Sequence, residues 1–204
     1  MNVAVGNLLT ENPWVRRRPL SVAEYHRMAE VGILTPDDRV ELIEGELVEM
    51  AAMGGPHVGA VIALNRLFSR AAGSDAVVSV QMPVQLGEGS EPEPDIALLR
   101  PRADDYRRAV PHARDVLLLI EVSDTTIEYD RRVKSQLYAR EGVPELWIVD
   151  VGAGRIEVYQ APGPGGYASV RSVGRGEVLS PAALPRVTVA AADILGEPSG
   201  DRPG

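Results

Sequence analysis

LLLIEVSDTTIEYDRRVKSQLYAREGVPELWIVD, residues 117–150, changes its periodicity twice. Together with Val116, its opening residues form an uninterrupted apolar run to Ile120. The run is far shorter than the ~20 residues that span a bilayer, and it has the pattern of a central strand covered on both faces. It ends abruptly at Glu121, an unexpected place for an acid. From Asp130 to Glu141 the pattern is helical, with Val133, Leu137 and Tyr138 turned inward, and Gly142 followed by Val143-Pro144 supplies a stop signal. Leu146 to Val149 then resumes as strand. Strand, crossover helix and strand make a right-handed parallel unit, whose functional groups gather at the carboxyl ends of the strands. Glu121 is expected there.

Working outward, Ser21 with Glu24 three residues on is a capping-box pattern for a short helix through Ala29. Val40 to Met50, VELIEGELVEM, reads as a hairpin with Gly45 near its turn. Its first arm puts Val40 and Leu42 on one face and Glu41 and Ile43 on the other, so Glu41 is either carried inward or left facing solvent. After the loop Met53-Gly54-Gly55-Pro56, the apolar spacing from His57 to Ala72 predicts an amphipathic helix with His57 in its first turn. A packing or surface role for that histidine outweighs a cleft role at roughly three to one. Val77 to Val84 reads as a strand containing Gln81, for which no role is evident, and Ile96 to Leu99 as another, entered through Pro94-Asp95. Arg102, Arg107, Arg108 and Arg114 make the polar segment 100–115 the densest basic group, either a phosphate contact or a solvated surface, with a helical turn at Ala103–Ala109. Ile156 to Tyr159 and Tyr167 to Val173 form a further hairpin. Val178-Leu179 and Val187-Thr188 are expected to add short pieces to an antiparallel extension of the sheet, with a last helical turn at Asp193 to Leu195.

The 204 residues suit one domain over 19–196, with a flexible arm over 1–18 and a tail over 197–204. The N-terminal basic cluster follows its apolar residues, which is not the order of a secretory signal, and a cytoplasmic protein without a membrane segment is expected. The chain has no cysteine, which excludes disulfides, thiol catalysis and thiolate metal sites and leaves oxygen or histidine to hold any metal. Its net charge of -8 argues against coating nucleic acid through bulk positive charge. It leaves catalysis open, because a divalent ion held by carboxylates inverts the local sign.

An acid opening one strand, an acid ending its neighbour and a lysine on the following helix can make one site. Asp95 and Glu121 would be close if their strands pair, and two carboxylates with water suit Mg2+ or Mn2+. Lys134 has the reach to return to the same mouth. The plainer readings are a turn aspartate at 95 and a surface i,i+4 pair between Asp130 and Lys134, worth ~0.3–0.5 kcal/mol.

Glu-Leu-Ile-Glu-Gly at 41–45, Pro94-Asp95, Glu121-Val122-Ser123, and the run from Tyr129-Asp130 through Lys134 and Tyr138 to Gly142-Val143-Pro144-Glu145-Leu146-Trp147-Ile148-Val149-Asp150 resemble the Uma2 family (DUF820) of the restriction-endonuclease-like, PD-(D/E)XK, superfamily. The resemblance covers Ser21 to Leu195 and implies an α/β fold, a mixed sheet flanked by helices. It implies a metal-dependent nuclease, with Mg2+ or Mn2+ held by Asp95, Glu121 and the backbone carbonyl of Val122. Nucleic acid is the implied partner, DNA in preference to RNA, with a homodimer as the assembly. The superfamily pattern puts its lysine two residues after the glutamate, where this chain has Ser123, and Lys134 is the position matching variants in which the lysine has moved to the next helix. Glu41 matches a further acid of the family pattern. Two other readings stand beside the nuclease: a non-catalytic binding or assembly module that retains the fold, and a purely structural role for all three residues.

Overall fold

The strand read at residue 116 runs from Val116 to Ser123, all eight residues buried. It thus continues past Glu121, which sits two residues inside the strand rather than at its end. In the computed structural model, which describes Trp14, residues 16–35 and residues 37–197, this strand is the third of a six-stranded sheet. The expected arm and tail fall outside the described residues, except Trp14, Arg16–Arg18 and Glu197.

In chain order the elements are α1 (Val22–Glu30), β1 (Val40–Ile43), β2 (Glu46–Glu49), α2 (Gly55–Ala71), β3 (Val77–Val80), β4 (Ile96–Leu99), β5 (Val116–Ser123), α3 (residues 127–140), β6 (Glu145–Asp150), β7 (Arg155–Gly163), β8 (Gly166–Val173), β9 (Val178–Leu179), β10 (Val189–Ala190) and α4 (Ala191–Leu195). The sheet order is β3-β4-β5-β6-β7-β8. Only β5 and β6 are parallel, joined by α3 as the sequence predicts, and β7 with β8 is the antiparallel extension.

Alternation along the central strands divides the core. Leu118, Ile120 and Val122 of β5 join Trp147 and Val149 against Leu64 and Phe68 of α2, with the Phe68 and Trp147 rings 5.8 Å apart. Leu119 of β5 and Ile148 of β6 join Leu137 and Tyr138 of α3 on the opposite face. Glu121 follows Leu119 by two residues and therefore points towards α3. The face that receives the acid is thus set by the strand's period.

Boundaries at β3 and among the last strands differ from expectation. β3 stops at Val80 because Gln81 takes a φ of 49°, a left-handed conformation that breaks the pleat. β9 pairs with β10, shifted to Val189–Ala190, in a separate two-stranded sheet rather than joining the main one. The helical turn expected at Ala103–Ala109 is a run of turns, and Ala113–Asp115 forms a 3-10 turn instead. Among the described residues no helix is long and apolar enough to cross a membrane.

The hairpin of β1 and β2 turns through Glu44 and Gly45, at φ 51° and 81°, as a two-residue loop with both residues left-handed requires. Gly45 is fixed on both sides: its N–H donates to the Gly89 carbonyl at 2.7 Å and its carbonyl accepts from Leu20 N–H at 2.9 Å. A Cβ at this position would lie 2.3 Å from Pro19 Cβ and 2.8 Å from Pro19 Cα. Gly45→Ala is therefore expected to lose about 2–4 kcal/mol of stability in a denaturant titration, from backbone strain plus the clash. The same experiment on Gly165, where a Cβ meets nothing and φ is not left-handed, should show little change.

Candidate active site and metal centre

The antiparallel register sets Ile96 of β4 opposite Ile120 of β5, so the next pair along the ladder brings Asp95 beside Glu121. Asp95 Oδ2 accepts the Val122 backbone N–H at 2.8 Å, which ties the aspartate to the strand carrying the glutamate. Its other oxygen, Oδ1, accepts from Gln81 Nε2 at 3.1 Å and lies 3.0 Å from His57 Nε2. Asp95 is thus more than a turn residue capping its own backbone.

Lys134 reaches back to the same place. Its Nζ stands 3.2 Å from Glu121 Oε1 and 3.2 Å from Glu41 Oε2. The helix that carries it starts at Ile127, earlier than the periodicity shows, and has a π turn over Asp130–Lys134, where Ser135 N–H donates to the Asp130 carbonyl. That i→i+5 bond widens the helix by a residue and rotates the following side chains, a distortion common at functional sites. The surface pair between Asp130 and Lys134 does not form: both are buried, at 4% and 6% exposure. Asp130 instead accepts from Ser123 Oγ at 2.6 Å and Thr126 Oγ1 at 2.9 Å.

Glu41 is carried inward, with 3% of its surface exposed. Its Oε1 accepts from the Tyr129 hydroxyl at 3.3 Å, and its Oε2 from the Glu93 N–H at 3.2 Å as well as from Lys134. The Tyr138 hydroxyl donates to Glu121 Oε1. These carboxylates, with Lys134, Tyr129 and Gln81, line one pocket of about 240 Å³, shared with Asp124 and His57.

Burial raises the Glu121 carboxyl to about 8, against the opposing charge of Lys134 and with the help of Asp130, Asp95 and Glu41. Burial works the other way on Lys134, but the carboxylates of Glu121, Glu41 and Asp130 outweigh it and hold the ammonium well above the ordinary lysine range. Glu93 and Asp130 are likewise raised by burial first, with Lys134 opposing. The pocket therefore holds more carboxylate than its one buried cation offsets. His57 is raised, chiefly by its hydrogen bond to Asp95, with desolvation opposing.

The model of the Uma2 family, described as "Putative restriction endonuclease", matches residues 22–192. The chain belongs to the Uma2 family. The chain is also similar to a solved structure from Anabaena variabilis ATCC 29413 described as "a putative nuclease belonging to DUF820", at 14% identity and a TM-score of 0.69, over 87% of this chain and 98% of that one. At that identity the likeness is one of fold. No curated protein matches the sequence.

In this Uma2 chain the residue two after the glutamate, Ser123, is fully buried and turned to Asp130, and the ammonium beside Glu121 comes from α3. The donor chemistry fits a hard divalent cation. It is all oxygen, it carries surplus negative charge, and Glu121 Oε2 makes no hydrogen bond among the described residues while Oε1 takes both Lys134 and Tyr138. No three His, Asp or Glu side chains among the described residues form a ready-made metal cage, so a set built from Asp95, Glu121 and the Val122 carbonyl would draw its remaining ligands from water.

His57, Gln81, Tyr129 and Tyr138 escaped the sequence reading as site residues. Tyr138 had a usable signal, since it lies four residues after Lys134 and so on the same helical face. The arginine-rich segment 100–115 follows β4 and precedes β5, and Leu99 pairs with Val116, so the sheet places it at the end away from Asp95 and Glu121. Arg102 is engaged locally, with Asp104 at 2.5 Å and with its guanidinium 4.3 Å from the Tyr106 ring.

Proposed function

We propose that this chain is a divalent-metal-dependent nuclease that hydrolyses the phosphodiester bonds of DNA, with Mg2+ or Mn2+ held by Asp95, Glu121 and the Val122 carbonyl. The observation that carries the reading is Lys134, folded back from α3 to stand 3.2 Å from Glu121 in a pocket that also holds Asp95. The bound ion would polarise a phosphoryl oxygen and lower the pKa of a water at the site.

The residues themselves divide the remaining work. Lys134 keeps its proton, so it serves as a fixed positive charge and a donor that orients the nucleophile and meets the negative charge developing on the phosphoryl oxygens. Glu41 and Tyr138 position it: Glu41 Oε2 holds the ammonium at 3.2 Å alongside Glu121, and the Tyr138 hydroxyl holds Glu121 Oε1 towards the helix. His57 and Gln81 fix the rotamer of Asp95. We extend the proposal to a homodimer in which each copy cuts one strand, and light scattering on the purified chain would test it.

The reading is tested by incubating the purified chain with plasmid DNA, single-stranded DNA and RNA in Mg2+, in Mn2+ and in EDTA. Cleavage of DNA above RNA that stops in EDTA is expected. Cleavage unchanged in Asp95→Ala and Glu121→Ala would discard the site. No cleavage, together with no calorimetric metal binding, would favour the binding or assembly module instead.

A further inference from the structure

The site pocket does not end at the carboxylates. A second and larger cavity, about 640 Å³, shares Arg39, Met50, Met53, Gln81 and Glu93 with it, so the two are compartments of one cleft. The larger compartment runs under α1, where Tyr25, His26 and Leu34 line it. Its walls are held in place: the Tyr25 hydroxyl donates to the Val40 carbonyl at 2.9 Å, tying α1 to the strand of Glu41, and His26 Nε2 lies 2.7 Å from the buried Glu91. Its volume falls within the ~300–1,000 Å³ typical of small-molecule sites.

A polyanion approaching this cleft meets mostly negative charge. Lys134 is buried and taken up by Glu41 and Glu121. Arg39, at the neck between the two compartments, is exposed, and its guanidinium makes no ion pair or hydrogen bond among the described residues. Its backbone carbonyl accepts from Met50 N–H at 2.8 Å, and its charge acts on the neighbouring Glu93 carboxyl, opposing the upward push of burial. Arg39 lies one residue before β1, which carries Glu41 two residues on. A planar guanidinium with free donors suits a phosphate that lies one step from the reacting one.

Resting on the nuclease reading, we infer that Arg39 is the phosphate-positioning residue of this cleft, and that the compartment beyond it receives the nucleotide next to the scissile phosphate. Tyr25 and the apolar Leu34 and Met50 offer that nucleotide a surface to pack on, and Arg39 clamps the phosphate that leads to it.

The test is binding of a fluorescently labelled DNA oligonucleotide to the full chain by anisotropy, across about 50–200 mM salt, in EDTA and in Ca2+. Arg39→Ala is expected to weaken binding about 3–10-fold and to reduce the salt slope by about 1, while Arg39→Lys keeps the slope. Arg171→Ala, which removes an exposed arginine on β8, should change neither. Unchanged thermal denaturation of Arg39→Ala shows that the fold is intact. Equal affinity and slope in wild type and Arg39→Ala, or no DNA binding by wild type in either buffer, overturns the inference. In the cleavage assay, Arg39→Ala is expected to raise KM more than it lowers kcat. If the wild type does not cleave but the slope still falls in Arg39→Ala, the nuclease reading fails and the DNA clamp stands.

Discussion

Lys134→Met is expected to abolish detectable cleavage and to destabilise the fold together. Lys134 is 6% exposed, and its ammonium faces the carboxylates of Glu41 and Glu121, residues that are each 3% exposed. Removing one partner of a buried ion pair leaves charge without compensation, at a cost of about 3–5 kcal/mol. Proton uptake by Glu121, already raised to about 8, sets the lower end of that range. Loss of the positive charge that meets the phosphoryl group should lower the rate by about 10²–10³. The two effects separate in the triple variant Lys134→Met, Glu41→Gln, Glu121→Gln. Taking out the whole charged set together is expected to recover most of the stability in denaturant titrations, because buried ion pairs are costly to desolvate. Cleavage should stay absent. A triple variant that cleaves would remove Lys134 and Glu121 from the chemistry.

Asp95→Asn is expected to leave the fold nearly intact while lowering cleavage by about 10³ or more. An asparagine oxygen still accepts the Val122 N–H that now bonds Oδ2 at 2.8 Å, and its amide keeps one contact with the Gln81 and His57 side. What the variant loses is the negative charge that a divalent ion requires. Denaturation midpoints close to wild type, combined with lost Mn2+ affinity in calorimetry, are the expected results. Cleavage within threefold of wild type would show that Asp95 serves only to anchor Gln81 and Val122.

The strand, helix and strand of residues 117–150 could be read from the sequence because both strands keep a single period and the helix keeps one apart from its π turn, and the family resemblance covered most of the chain. Glu121 was visible because an acid interrupts an apolar run. Lys134 was visible by its family position, but its reach depends on the i→i+5 turn over Asp130–Lys134, which a 3.6-residue periodicity cannot display. The partners of Asp95 were hidden for another reason. His57 comes from the first turn of α2 and Gln81 from the residue that ends β3, and they meet only once the sheet has formed. Charge density pointed towards segment 100–115, yet density along the chain says nothing about which end of a sheet a segment occupies. Arg39, a lone cation in a turn sequence, gave no local signal and gains meaning only from the two compartments that meet at it.

In a crystal soaked in Mn2+ and measured for anomalous scattering, one peak is expected, bonded by a carboxylate oxygen of Asp95, a carboxylate oxygen of Glu121 and the Val122 carbonyl, at about 2.0–2.2 Å, with Lys134 Nζ beside it and outside the ligand shell. A peak held by other residues, or an Asp95 still closed by His57 and Gln81 with no ion at saturating Mn2+, would contradict the proposed site.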